Sequence, residues 1–217
     1  MDLLTPAERH PLEPFLPERA CILFLGSFPP PQKRWCMPFF YPNYINDHWR
    51  IQGAVFYADP LHFVDAVHKC FRYEAVVEHA RRLGLAYYDT ATAVRRLADN
   101  ASDKFLEVVE PTDVRALVER LPHLRAVVTT GELATRTLCD MFEVARVPAI
   151  GSPVTLVKAP RTSADLAPSA QGEGGVELYR LPSSSRAYPL AFDKKVQAYE
   201  IMFRRYVPPV AWPGVSK

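Results

Sequence analysis

Three short segments place small polar groups where predicted strands end, and such groups can hold a ligand. The first is G-S-F-P-P-P, in which Ser27 follows a run of apolar residues. The second places Asp89 after LAYY, and the third is L-P-S-S-S-R-A-Y at residues 181–188. Serine hydroxyls and turn amides donate hydrogen bonds, whereas a carboxylate accepts them. Any one of these segments is typical of an ordinary turn, but together they predict one ligand site.

The surrounding sequence alternates strands and helices, which predicts how the segments come together. Apolar runs predict strands at CILFLG, LGLAYYDT, LRAVVTTG and VELYR, and a short strand at VTLVKAP. Helices are predicted at 47–52, 60–83, 110–122, 132–142 and 191–206, with Pro60 opening the second and Thr112 capping the third. This alternation favours a three-layer α/β/α sandwich on a mainly parallel four-stranded sheet. In such sheets ligands bind beyond the carboxyl ends of the strands, where the three segments lie.

Length and composition fit a single soluble α/β domain of 217 residues, with 48% hydrophobic and 23% charged residues. We expect its core at about 18–206 and a surface insertion at about 160–175, where Ser, Ala, Gly and Pro dominate. The sequence contains no run of about 20 apolar residues and no apolar signal-peptide core. The prediction is therefore a cytoplasmic monomer without a membrane partner. A net charge of +2 leaves a nucleic-acid partner open.

The residue spacing argues against several common chemistries. The four cysteines form no C-x-x-C pair and have no histidine at ligand spacing, so neither a metal site nor a disulfide framework is predicted. The sequence also lacks G-x-x-x-x-G-K-[ST], a strand followed by G-x-G-x-x-G, and G-x-S-x-G. Nucleoside triphosphate hydrolysis, dinucleotide redox chemistry and standard serine hydrolysis are therefore disfavoured.

Five motifs, taken in order, resemble the uracil-DNA glycosylase superfamily. They are G-S-x-P after the first strand, Y-P-x-x-x-N-x-x-W-R-I, a strand ending Y-D-T, E-P-x-D before a helix, and L-P-S-[ST]-S. The resemblance covers roughly residues 20–145 and 176–206, and it is greatest to the hypoxanthine (deoxyinosine) and uracil DNA glycosylases. It implies an enzyme that flips uracil or hypoxanthine out of double- or single-stranded DNA. The enzyme would then hydrolyse the N-glycosidic bond in base excision repair, without a cofactor.

The resemblance implies roles for particular side chains. Asn46 and Ser27 are expected to be catalytic, because the Asn46 amide can orient water or bond a base edge. Phe28 or Tyr41 would stack on the base. The expected base pocket consists of Gly26, Phe28, Pro29, Tyr41, Asp89 and Thr130. Structural alternatives stay open: Asn46 as a helix cap, Asp89 bonded to a neighbouring loop, and Phe28 or Tyr41 in the core.

The last motif implies contacts with DNA. The expected DNA-binding residues are Ser183, Ser184, Ser185, Arg186, Tyr188 and Lys194. The serines would donate to phosphate oxygens, while Arg186 or Tyr188 would fill the gap that a flipped base leaves. Lys194 and Lys195 begin the following helix, and two lysines alone are more typical of a solvated helix face.

The chain departs from this branch at several positions. Pro30 and Pro31 stand where relatives carry Gly or Ser, His48 stands where an aromatic is usual, and Thr130 replaces an asparagine before Gly131. The last motif continues S-R-A-Y rather than S-P-A-N. Two other functions therefore stay open. One is a glycosylase-fold protein that binds DNA or a modified base without cleavage, and the other is a domain that binds a free base or phosphate.

Overall fold

The computed structural model describes residues 6–97, 105–157 and 175–213. The strands are β1 (Glu8–Arg9), β2 (Ile22–Gly26), β3 (Val64–Asp65), β4 (Cys70–Phe71), β5 (Leu85–Asp89), β6 (Ala91–Arg96), β7 (Leu106–Pro111), β8 (Ala126–Thr129), β9 (Val154–Val157) and β10 (Val176–Arg180). The helices are α1 (His48–Tyr57), α2 (Tyr73–Leu83), α3 (Val114–Glu119), α4 (Glu132–Met141) and α5 (Phe192–Tyr206). None of these helices has the length and apolar character needed to cross a membrane. The predicted insertion at 160–175 falls, apart from its last residue, outside the described residues.

The central sheet has five strands in the order β5-β2-β8-β10-β9. Strand β2 pairs in parallel with β5 and β8, and β8 pairs in parallel with β10. Strand β9 lies antiparallel to β10 at one edge. The prediction of a four-stranded sheet is therefore wrong, because the short segment VTLV adds a fifth strand. As an edge strand it is only partly buried, so it lacks the continuous burial that marks β5 and β8.

Helices pack on both faces of the central sheet. On one face the ring of Phe24 in β2 lies 6.0 Å from the ring of Phe203 in α5. Phe24 is in register with Val128 of β8, so the next residue, Thr129, points to the other face. There the Thr129 hydroxyl lies 2.8 Å from the hydroxyl of Thr135 in α4. The result is a mixed α/β fold with helices on either side of a central sheet.

A second sheet, which the sequence did not predict, is antiparallel and has the order β1-β6-β7. Strand β6 follows β5 after the single residue Thr90, and it pairs with β7 on one side. On its other side it pairs with the two-residue strand β1, where Glu8 lies opposite Val94. This sheet brings the N-terminal segment against the end of β5, which is one of the predicted site segments.

The predicted helix from Pro60 to Leu83 is wrong over its first half. Strands β3 and β4 form a hairpin there, and α2 begins only at Tyr73. The Asp65 carboxylate accepts a hydrogen bond of 3.1 Å from the backbone N–H of His68, which holds a tight turn. Lys69 then has φ of 51°, in the left-handed region that interrupts a right-handed helix. Turn chemistry therefore prevails over the helical pattern in this segment.

Helix α3 has a different cap from the predicted one. The Asp113 carboxylate, rather than the Thr112 hydroxyl, accepts a hydrogen bond from the backbone N–H of Ala116 at 3.0 Å. The Thr112 hydroxyl instead donates to the backbone carbonyl of Asp89 at 2.7 Å. Thr112 therefore ties the start of α3 to the end of β5.

The other helix predictions are confirmed in position. Helices α4 and α5 match the predicted segments 132–142 and 191–206 to within one residue at each end. Helix α1 begins at His48, one residue after the predicted start, and continues to Tyr57. The chain thus enters α1 directly after Asn46 and Asp47.

Candidate functional site

A cavity of about 670 Å³ lies beyond the carboxyl ends of the parallel strands. The predicted site residues that line it are Gly26, Ser27, Phe28, Pro29, Tyr41, Asn46, Asp89, Thr130, Ser183, Ser184, Ser185, Arg186 and Tyr188. Of the predicted site residues only Lys194 lies elsewhere, on the exposed surface of α5. The three strand-end segments therefore converge on one cavity, whose volume suits a small-molecule or base ligand.

The first wall is the proline turn, residues 26–31, and residues outside the turn hold it. The Trp35 indole N–H donates to the Pro30 carbonyl at 2.7 Å. The Arg96 guanidinium donates to the Pro29 carbonyl at 3.1 Å and also binds the carboxylate of Glu8. The backbone carbonyls of the turn are thereby fixed. The extra proline Pro30 lines the cavity, which stays open around it.

The side chain of Asn46 is both a helix-start acceptor and a cavity residue. Its Oδ1 accepts a hydrogen bond of 2.9 Å from the backbone N–H of His48, the first residue of α1. Its own carbonyl accepts from the guanidinium of Arg50 at 3.1 Å. Because Oδ1 accepts a hydrogen bond from the start of the helix, the orientation of the Asn46 amide is fixed. Nδ2 is then the donor group of this side chain that remains for a ligand. No described residue accepts a hydrogen bond from this Nδ2.

The aromatic wall is formed by Tyr41 and Phe28. The Tyr41 ring stacks on the buried ring of His48, with centroids 3.7 Å apart and planes 7° apart. Its hydroxyl lies 3.0 Å from the hydroxyl of Thr130, so this predicted pocket residue is already paired with Tyr41. Tyr41 also has φ of 50°, an uncommon backbone conformation for a bulky residue. Phe28 is half-buried and lines the cavity, with the ring of His10 against it at 5.3 Å.

A buried hydrogen-bond network lies behind Tyr41. The Gln52 amide donates to His48 Nε2 at 2.7 Å and to the Tyr87 hydroxyl at 2.9 Å, and its Oε1 lies 3.0 Å from His79 Nε2. Burial lowers the pKa of His48 well below its ordinary value, and nearby His79 adds to the effect. Burial also lowers the pKa of His79 to about 3. Both imidazoles are therefore neutral near pH 7, and His48 is a rigid support for Tyr41 rather than a cation.

Asp89 lies at the cavity wall in contact with a residue that the sequence did not single out. Its Oδ2 lies 2.8 Å from Nε2 of His10, whose side chain is only 2% exposed. Its Oδ1 lies so close to Gly26 that a Cβ at that position would collide with it. Asp89 therefore contacts a neighbouring segment of the chain, as the structural alternative stated, and it also lines the cavity.

The serine loop, residues 182–188, forms another wall of the cavity. The Ser183 and Ser185 hydroxyl oxygens accept hydrogen bonds from backbone N–H groups two residues onward, each at 3.2 Å. Their hydroxyl hydrogens are thus available to donate outward. Ser184 is only 1% exposed, which argues against it as a phosphate donor.

Charged groups beneath the serine loop hold it in place. The Arg186 guanidinium donates to the buried carboxylate of Asp47 at 2.8 Å. The Lys195 ammonium donates to the Ser185 carbonyl at 2.7 Å and lies 4.0 Å from Asp47. Burial lowers the pKa of Lys195. The solvated-face interpretation is therefore wrong for Lys195, which supports the loop from below, whereas it fits the exposed Lys194.

Sequence reasoning missed several residues at this site. Leu12, Arg34, Ile150 and Arg180 also line the cavity, and Arg34 is exposed. Arg180 ends β10, so the rule that ligands bind beyond strand ends could have identified it. The contact of His10 with Asp89 had no such signal, because it depends on the unpredicted sheet that contains β1.

The comparisons with known proteins agree with this fold. No protein-family model matches the chain, and no curated protein matches it. Among solved structures, the chain is similar to the solution NMR structure of a putative uracil DNA glycosylase from Methanosarcina acetivorans, with a TM-score of 0.60 and 21% identity. The similarity covers 92% of this chain and 98% of that chain. At 21% identity this similarity shows a shared fold and nothing more. The predicted likeness to a uracil DNA glycosylase is therefore confirmed for the fold alone.

Proposed function

We propose that the protein is a DNA glycosylase that removes a deaminated base, uracil or hypoxanthine, from DNA. The observation that carries the proposal is the convergence of the proline turn, Asn46, Asp89 and the serine loop on one cavity of about 670 Å³. The fold shared with the putative glycosylase from Methanosarcina acetivorans supports it. The first motif, G-S-x-P, favours the hypoxanthine and uracil branch, because that branch carries Ser and Pro there in place of the catalytic Asp of other branches.

The proposed reaction exchanges the base for water at the sugar. A water oxygen bonds to C1′ while the C1′–N bond breaks and leaves its electron pair on the base. The water proton neutralises the departing base, so the products are an abasic site and the free base. An extruded nucleotide is required, because C1′ is not accessible within the duplex. The reaction calls for no metal or cofactor, since hydrogen-bond donors can stabilise the charge that develops on the base.

Asn46 and Ser27 are the proposed catalytic residues. The Oδ1 contact with the helix start fixes the Asn46 amide, so its Nδ2 is a preorganised donor at the cavity wall. Ser27 is a buried residue of the proline turn and lines the cavity, where it can hold the attacking water. A fixed donor costs no reorganisation during the reaction, which suits a group that is too weak to act as a base.

The residues that line the cavity also suggest where the base and the DNA backbone would bind. Phe28 offers a ring for stacking, whereas one face of Tyr41 is occupied by His48. Ser183 and Ser185 are the proposed phosphate donors. Tyr188 is the residue that we propose fills the gap left in the duplex by the flipped base. The Arg186 guanidinium is less suited to this role, because it donates a hydrogen bond to Asp47.

A single-turnover cleavage assay tests the proposal. Oligonucleotides with one uracil or one hypoxanthine, single-stranded and in duplex, are incubated with excess enzyme, and abasic sites are cleaved with alkali. We expect abasic product from at least one base, with the same rate for the control Val67→Ser, whose side chain is 85% exposed on the β3–β4 hairpin. No product from either base would refute glycosylase activity. Salt-sensitive binding of damaged duplex would then favour a non-cleaving DNA binder.

A further inference from the structure

An N-terminal arm, residues 8–15, places the buried side chain of His10 against Asp89 at the cavity wall. Strand β1 pairs with β6, and the His10 backbone N–H donates to the Thr92 carbonyl at 2.8 Å. Farther along, Phe15 and Tyr87 exchange two backbone hydrogen bonds of 3.0 and 2.9 Å. The arm is therefore fixed on both sides of His10, next to the end of β5.

The chemistry of the pair fixes which group donates. An ionised carboxylate only accepts, so the Nε2–H of His10 donates to Oδ2 of Asp89 across 2.8 Å. The other nitrogen, Nδ1, lies 2.8 Å from the Leu12 carbonyl and 3.1 Å from the Leu12 N–H. Nδ1 therefore faces the backbone of Leu12, and Nε2 is the ring atom that faces Asp89.

The surroundings of His10 would accept a plain aromatic ring. Its ring lies 5.3 Å from Phe28, 6.2 Å from Phe40 and 4.7 Å from Tyr88. Packing alone does not require an imidazole in this aromatic environment. What the imidazole adds is the contact of Nδ1 with Leu12 and the hydrogen bond of Nε2 to Asp89, whose side chain is 10% exposed at the cavity wall.

We propose that His10 is a positioning residue that holds Asp89 as a fixed acceptor for the ring N–H of a deaminated base. With Oδ2 bound to His10, Oδ1 is the oxygen left for a ligand, and no described residue donates to it. Uracil carries an N–H at N3 and hypoxanthine carries one at N1. The parent bases cytosine and adenine have an unprotonated acceptor nitrogen at those positions, which a carboxylate repels. Asp89 held in this way distinguishes deaminated bases from their parents.

The inference rests on the proposed glycosylase function, and three variants separate positioning from packing. His10→Gln places an amide donor where Nε2 lies, His10→Asn places one only where Nδ1 lies, and His10→Phe keeps the ring. We expect His10→Gln to retain most of the single-turnover rate. His10→Asn and His10→Phe should lower it by about 10- to 100-fold, the scale of a lost hydrogen bond to a charged group. Thermal melting shows whether each variant is folded.

Methylated substrates give a readout that a packing role would not change. Methylation of uracil at N3 or hypoxanthine at N1 removes the donor, so it should slow the wild-type protein strongly. The same methylation should matter less in folded His10→Phe, because Asp89 is no longer held. Equal methylation effects in both proteins would overturn the inference, as would equal rates for the Gln, Asn and Phe variants.

A binding assay keeps the inference testable if the protein cleaves no base. Fluorescence anisotropy with duplexes that contain non-cleavable 2′-fluoro-deoxyuridine or 2′-fluoro-deoxyinosine measures affinity directly. Weaker binding by His10→Phe than by His10→Gln would support His10 while the glycosylase proposal fails. Unchanged binding in all variants, or no binding by the wild type, would overturn the His10 inference as well.

Discussion

Asn46 accepts a hydrogen bond at the start of α1 and also presents an amide to the cavity. One substitution cannot separate these two roles, but a pair of substitutions can. Asn46→Ala removes the acceptor for the His48 N–H, now bonded at 2.9 Å, and also removes the amide at the cavity. Loss of a helix-start acceptor costs about 1 kcal/mol, which lowers the Tm of a protein of this size by about 2–4 °C. Loss of a transition-state donor lowers the cleavage rate by about a hundredfold, or about 2.7 kcal/mol.

Asn46→Ser is the matched variant, because a serine oxygen can still accept from the start of α1 but offers no amide. We expect Asn46→Ser to regain most of the stability while its single-turnover rate stays about a hundredfold low. Urea denaturation and the cleavage assay measure the two quantities on the same samples. A serine variant that regains both would show that Asn46 acts only as a cap. A rate within about threefold of wild type for the alanine variant would remove Asn46 from the reaction, since a lost donor costs far more.

Three further predictions concern the supports of the cavity. Gly26→Ala should destabilise the fold by about 1–3 kcal/mol, because its Cβ collides with Asp89 Oδ1, and Asp89→Ala in the same chain should restore stability in urea denaturation. Lys195→Met should weaken binding of damaged duplex more than Lys194→Met, because only Lys195 holds the serine loop; equal losses in anisotropy titrations would contradict this. Burial lowers the pKa of His79 in the folded chain to about 3. As pH falls below about 6.5, His79 is therefore protonated in the unfolded chain but stays neutral in the folded chain. The unfolding free energy should then fall by up to about 1.4 kcal/mol per pH unit between pH 6.5 and 5, and His79→Gln should reduce that slope.

The sequence predicts the parallel strands and the residues at their ends better than the elements around them. Buried strands such as LAYYD read clearly, because both faces are covered and the apolar run is continuous. The β3–β4 hairpin was missed because its turn depends on the Asp65 side chain, which also fits a helix opened by Pro60. The partner of Asp89 could not be predicted, since it is a histidine brought there by an unpredicted sheet. The contact of Asn46 with the start of α1, in contrast, matches the helix-cap alternative that the sequence left open.

The proline turn shows why local stiffness is not enough to build this site. Prolines restrict φ, but they do not fix where the turn points relative to the other two walls. That orientation comes from Trp35, which binds the Pro30 carbonyl, and from Arg96, which binds the Pro29 carbonyl. Arg96 belongs to the second sheet, the same sheet that carries the N-terminal arm and its His10. One unpredicted sheet therefore positions both the proline turn and the Asp89 carboxylate, so a change in its packing should alter both walls together.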